Sequence, residues 1–275
     1  MCSRFLSIAV LAAWPLVAAG TLRVCADPDN LPYSNRQGEG FENKLAEIIA
    51  RDLGETVDYT WWSQRRSFLK NSLGADRCDV VMGVPAELGN AAVTSPYYRS
   101  TYVFVTRADR ALAIHSLDDS RLGSMKIGIH MAGEDYTPPA VLLGRRGLAA
   151  NLRAYRLTGA YGEQEVAGRL VQAVASGDVD VAVVWGPIAG FYANRQYVPL
   201  RVEPITDSDH REIPLRFSMA MAARKGDEQL MRKLNDALAR NCTAIQSLLS
   251  EYHVPRVEDP KDVCVSLPHS PVLSH

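Results

Sequence analysis

The sequence predicts an α/β protein of two lobes, each a mainly parallel sheet flanked by helices, with a cleft between them. Two observations predict it. Short apolar strands alternate with amphipathic helices along most of the chain. In addition, two buried-strand runs of like character, Asp79-Val-Val-Met-Gly-Val-Pro85 and Val179-Asp-Val-Ala-Val-Val-Trp-Gly-Pro187, each leave through Gly and Pro. A phrase that occurs twice points to two similar lobes rather than one long sheet.

The chain opens with Arg4, an apolar run from Phe5 to Val17 and the small residues Ala18, Ala19 and Gly20. That is the form of a cleavable export signal over 1–20, too short for a comfortable membrane span, with a retained anchor as the alternative. No later stretch is long and apolar enough to cross a bilayer. Leu22 to Ala26 reads as the first strand, and Asp27 to Ser34 as a Pro/Asp/Asn turn. Phe41, Leu45, Ile48, Ile49 and Leu53 make one helical face stopped by Gly54, and Thr56 to Trp62 is a strand. Phe68 to Leu73 is a second helix ended by Gly74, and Tyr102 to Thr106 a strand beyond Pro85. Charged and polar residues over Arg107 to Asp119 interrupt the pattern and mark a lobe boundary. The phrase then restarts with a strand over Met125 to His130 and a helical face of Val166, Leu170, Val171 and Val174 that Gly177 stops. A return between Pro199 and Pro214 leads to a strand over Phe217 to Ala223 and to helical faces built on Leu230, Leu234, Leu238, Ile245, Leu248 and Leu249. The expected organisation is lobe 1 over 21–110, lobe 2 over 111–205, and a return to lobe 1 with a tail over 206–275.

The 275 residues carry 30 basic and 31 acidic side chains. This near-neutral balance argues against a general nucleic-acid binder. Loss of the signal removes Cys2 and leaves Cys25, Cys78, Cys242 and Cys264, an even set suited to an oxidising compartment and open to three pairings. Cys25 with Cys78 is favoured, because the first and third strands are neighbours in many doubly wound sheets. Cys242 with Cys264 then joins a C-terminal helix to the tail. Four buried thiols are the alternative. The spacings of a zinc site are absent.

In parallel sheets, ligands meet the loops at the carboxyl ends of strands. These are Asp27 to Tyr33, Trp61 to Ser63, Met82 to Pro85, His130 to Asp135 and Trp185 to Pro187. They contain no Gly-x-Ser-x-Gly elbow, phosphate loop, dinucleotide turn or histidine cluster. Asp27 and Asp29 could act as an acid/base pair, although carboxylates on such a turn more often cap amides. His130 could donate a proton, although a lone histidine is more often structural. The loops are rich in rings instead: Tyr33, Trp61, Trp62, Tyr97, Tyr98 and Trp185 suit a cleft or a protein contact. Core packing is the alternative for each ring, and strand alternation prevents Trp61 and Trp62 from both facing inward. Arg65, Arg66 and Lys70 form a basic group that is either solvated or a docking patch.

Leu22-Arg-Val-Cys-Ala-Asp27, Gly40-Phe-Glu-Asn-Lys-Leu-Ala46, Cys78-Asp-Val-Val-Met-Gly-Val84, Ser95-Pro-Tyr-Tyr98 and the run from Gly177 to Pro187 occur in an informative order. Together they resemble the periplasmic solute-binding proteins of the polar amino-acid type, over nearly the whole mature chain. More narrowly, Cys25 to Ser34, Gln64-Arg-Arg66, Cys78 to Pro85, Pro96 to Val105 and Val184-Trp-Gly-Pro187 resemble the branch associated with quinoprotein dehydrogenases, which includes the methanol dehydrogenase accessory J protein. The resemblance implies the two-lobed periplasmic binding protein fold and a periplasmic location. Amino-acid binders usually present an Arg after the third strand to clamp the ligand carboxylate, where this chain has Val84-Pro-Ala-Glu-Leu-Gly-Asn90. Their Asp for the ammonium is replaced by Trp185-Gly186, and their Gly-Thr turn by His130-Met-Ala-Gly-Glu-Asp-Tyr136. A zwitterion would be buried without its partners, so ordinary amino-acid binding is expected to be lost.

The resemblance implies a non-enzymatic accessory protein for a quinoprotein (PQQ-dependent) methanol or alcohol dehydrogenase, with no cofactor or metal of its own. The alternatives are the substrate-binding subunit of an ABC importer for a small apolar or aromatic solute, and a dehydratase-like enzyme drawing its acid from Asp27, His130 or Glu134. The residues expected to meet a ligand or partner are Tyr33, Trp62, Arg65, Met82, Pro85, Tyr97, His130 and Trp185.

Overall fold

A computed structural model describes residues 20–65, 67–160, 162–206, 212–258 and 264. The expected signal over 1–20 lies outside them apart from Gly20, as do Arg66 and the residues beyond 258 apart from Cys264. Lobe 1 opens with β1 (Gly20–Ala26), α1 (Phe41–Asp52), β2 (Glu55–Trp61), the single-turn α2 (Phe68–Asn71) and β3 (Val80–Pro85). The long strand β4 (Tyr98–Arg107) follows. Lobe 2 contains β5 (Ile127–Ala132), α3 (Pro138–Arg145), β6 (Leu152–Arg156), α4 (Arg169–Ser176), β7 (Val181–Trp185), α5 (Gly186–Ala193) and β8 (Leu200–Pro204). The chain then returns through β9 (Arg216–Ala223), α6 (Glu228–Arg240) and α7 (Cys242–Glu251).

The strand order β6-β5-β7-β4-β9-β3-β1-β2 contains the repeat that the sequence suggests. In lobe 1, β1 pairs in parallel with β2 and β3, and β9 runs antiparallel beside β3. In lobe 2, β5 pairs in parallel with β6 and β7, and β4 runs antiparallel beside β7. Alternation along β7 sends Ala182 and Val184 to the face covered by α4 and α5, and Val181 and Val183 to the face covered by α3. In lobe 1, Phe41, Leu45 and Ile49 of α1 pack on Val24, Val80 and Met82, with Leu234, Leu238 and Ile245 closing the same core. The helix starts cleanly because the buried Asn43 carboxamide accepts from the Gly40 and Asn35 amides at 3.2 and 3.0 Å.

The lobes meet inside β4. Its residues Tyr98–Thr101 pair with β9, whereas Tyr102–Thr106 pair with β7. The exchange of partners therefore precedes Arg107 to Asp119, where the sequence pattern breaks; that break marks the strand's end. The chain crosses again between β8, whose Pro204 lies opposite Val103, and β9. A third link follows α7. Ser100 donates to the Pro255 carbonyl at 2.5 Å, Val257 N–H to the Arg99 carbonyl at 3.0 Å, and the Tyr252 ring stacks on Phe191 of α5. A side chain at Gly190 would collide with the His253 carbonyl, so glycine permits this close approach.

The cysteines pair as Cys25–Cys78, with Cα atoms 5.5 Å apart, and Cys242–Cys264, 5.0 Å apart. The first bridge follows from adjacency of β1 and β3, where Val24 lies opposite Val80. Among the described residues no helix is long and apolar enough to cross a membrane.

Candidate functional site: the cleft between the lobes

Each wall of the cleft is fixed locally. The Asp27 carboxylate accepts from the Asp29 amide at 2.9 Å and the Gln64 amide at 2.5 Å, and Ser34 donates to the Asp27 carbonyl at 2.7 Å. Burial pushes the Asp27 carboxyl up, against the pull of those two amides. Asp27 thus binds the loop after β1 to the end of β2, and that loop delivers Tyr33. The Tyr33 ring rests 5.4 Å from Phe41 while its hydroxyl meets the Trp185 indole of lobe 2. Trp185 in turn lies edge-on to Tyr102 at 5.3 Å and Phe217 at 5.7 Å. Rings from the first loop, β4, β7 and β9 therefore converge at the strand crossing.

The cleft encloses about 1040 Å³ and takes in Tyr33, Pro85, Tyr102, Trp185, Ile188, Phe217 and Met219. One of its acids is Glu42, in the first turn of α1. Gly83 of β3 makes room for it: a methyl group there would collide with Glu42 Oε1. Burial raises the Glu42 carboxyl to about 8, although the positive end of α1 favours the anion. At one flank the lobes touch. Arg65 donates to the Gly159 carbonyl at 2.8 Å, Gly162 N–H to Asp29 Oδ2 at 3.1 Å, and the Tyr192 hydroxyl to the Leu31 carbonyl at 3.3 Å.

Of the residues expected from sequence, Tyr33, Arg65, Pro85 and Trp185 line this cleft. The other four do not. Met82 points into the lobe-1 core, and Tyr97 is fully buried with its hydroxyl donating to the Met82 carbonyl at 3.0 Å. Trp62 lies at the outer surface beneath the Arg77 guanidinium, 4.5 Å from its ring centre. His130 is sealed in lobe 2 with Nε2 3.0 Å from the Ala167 carbonyl, and burial lowers it to about 4, so it is neutral at ordinary pH. Trp61 stacks on Tyr59 at 4.6 Å. Glu134 stands at the cleft rim. Sequence reasoning passed over Glu42, Tyr102 and Phe217. Glu42 looks like an ordinary polar residue opening a helix, and its one signal is the glycine in the neighbouring strand. Among the described residues no group of three or more His, Cys, Asp or Glu is placed to hold a metal ion.

Two α/β lobes joined by crossing strands, with a cleft along the strand ends, define a binding-protein scaffold. The chain belongs to the bacterial extracellular solute-binding proteins, family 3, whose model matches residues 22–251. It is 35% identical over 252 residues to protein MoxJ of Methylorubrum extorquens, covering 86% of this chain and 82% of that one. It is 30% identical over 270 residues to protein MoxJ of Paracoccus denitrificans, covering 93% and 96%. Among solved structures, MxaJ from Methlophaga aminisulfidivorans MPT superposes with a TM-score of 0.77 at 29% identity, covering 86% of this chain and 100% of that one. The periplasmic binding protein XoxJ from Methylobacterium extorquens AM1 superposes with a TM-score of 0.72 at 36% identity, with the same coverage.

Proposed function

We propose that this protein is a non-enzymatic periplasmic accessory factor that assists maturation or activation of a quinoprotein methanol or alcohol dehydrogenase. The observation that carries this reading is likeness to MoxJ proteins along nearly the whole chain, at 35% and 30% identity. The cleft adds support. The two charged clamps of an amino-acid site are absent from the loop after β3 and from the end of β7, where Trp185 lies among Tyr33, Tyr102 and Phe217. Such a surface suits an apolar segment of a protein better than a buried zwitterion. Crossing strands also give two lobes a means of hinge motion, so a partner that favours one opening would shift the population.

A second reading, the solute-binding subunit of an importer for an apolar or aromatic molecule, draws on the volume and lining of the same cleft. Of the acids named for the dehydratase reading, Asp27 is engaged by two amides and His130 is sealed away from the cleft, which leaves Glu134 at its rim. Deletion of the gene tests the leading reading. During growth on alcohol, the deletion strain is expected to lose most quinoprotein dehydrogenase activity while still exporting the enzyme. Full activity in that strain would contradict the proposal.

A further inference from the structure

The Glu42 carboxyl lines the cleft without a hydrogen bond or ion pair to any described residue. Among the described residues its setting offers no ready counter-charge. Tyr33, Tyr59, Tyr97 and Tyr98 are its titratable neighbours, and burial holds all four above the ordinary phenol range. Of the arginines that line the cleft among the described residues, Arg65 donates to the Gly159 carbonyl and Arg156 pairs with Glu163 at 2.7 Å. Glu134 also lines the cleft. The same cleft is lined by Tyr33, Tyr102, Trp185 and Phe217, aromatic rings whose faces attract cations.

An unpartnered carboxyl among several rings, with no counter-charge among the described residues, matches the chemistry of a cation that also carries hydrocarbon. We infer that the cleft binds a small organic monocation of the alkylammonium type, its charged head on Glu42 and its carbon chain against Tyr33, Tyr102, Trp185 and Phe217. This goes beyond the accessory role and does not rest on it, because the likeness to MoxJ stands whether or not the cleft holds a small molecule. Binding couples to a proton. Glu42 is mostly protonated at pH 6.5, and an arriving ammonium favours its anion, so each cation bound expels close to one proton.

The test is calorimetric titration of the mature protein with n-butylammonium chloride and, separately, with n-butanol, in buffers of different ionisation heat. Butylammonium is expected to bind at least tenfold more tightly than butanol. It should release close to one proton at pH 6.5 and almost none at pH 9, where the amine is still charged. Glu42→Gln is expected to abolish the preference for the cation. Gly83→Ala, which forces the carboxyl from its slot, is expected to weaken cation binding more than butanol binding. Equal binding of the two probes, absence of saturable cation binding, or binding of the cation without proton release in the wild-type protein would overturn the inference.

Discussion

An acid in the first turn of a helix is ordinarily an anion stabilised by the helix dipole, but Glu42 is held at about 8 by its burial. The folded protein therefore keeps a proton on Glu42 that the unfolded chain releases near pH 4.5. Between those two values the unfolded state binds fewer protons, so this residue's contribution to stability declines as pH rises and is lost above pH 8. Glu42→Gln removes the titration while keeping the shape. It is expected to match the wild type in urea unfolding at pH 4 and to exceed it by about 2–4 kcal/mol above pH 8. Equal stability of the two proteins across this range would mean that the Glu42 carboxyl is well solvated. At this scale the aromatic signal of strand-end loops was ambiguous: Tyr33 and Trp185 line the cleft, whereas Trp62 and Tyr97, chosen on the same signal, pack on the outer surface and in the lobe-1 core. The sequence was unreadable for Glu42, whose behaviour depends on Gly83 of a strand some forty residues away.

Elements with a two-sided pattern were legible. The apolar face of α1 and the buried runs of β3 and β7 each announced themselves by periodicity, and the spacing of strands allowed Cys25 and Cys78 to be paired. Four elements escaped notice. β6 and β8 are edge strands without a continuous buried face, so their sequences Leu-Arg-Ala-Tyr-Arg and Leu-Arg-Val-Glu-Pro show no apolar run. Helix α5 is buried nearly all round and so lacks a polar face, while α3 is short and opens with two prolines. The Gly186-Pro187 pair that read as an exit from β7 is the first turn of α5. The disulfide between β1 and β3 encloses a separation of 53 residues, for which the chain-entropy estimate is about 4 kcal/mol. Cys25→Ser with Cys78→Ser is expected to lower stability by about 3–5 kcal/mol in denaturant unfolding. A change below about 1 kcal/mol would indicate that lobe 1 does not depend on this bridge for stability.

Across the whole molecule, the handover of β4 from β9 to β7 places an aromatic floor where the two lobes are joined. Tyr33 and Phe217 belong to lobe 1, and Trp185 and Tyr102 to the lobe-2 side of the crossing. A change in lobe angle must therefore alter how these rings meet, which links the contents of the cleft to the opening of the molecule. The cross-cleft bonds of Arg65, Asp29 and Tyr192 lie at one flank, where they can break without disturbing either core. On the proposed accessory role, a dehydrogenase that reads this opening would need no catalysis from the protein, only a preference for one of its own forms. The most direct measurement is the affinity of the purified mature protein for the cofactor-free and cofactor-loaded forms of its host's quinoprotein alcohol dehydrogenase. Saturable binding is expected, at least tenfold stronger for one form and substantially weakened by Trp185→Ala. Absence of binding to both forms, or equal binding that Trp185→Ala leaves unchanged, would contradict the account.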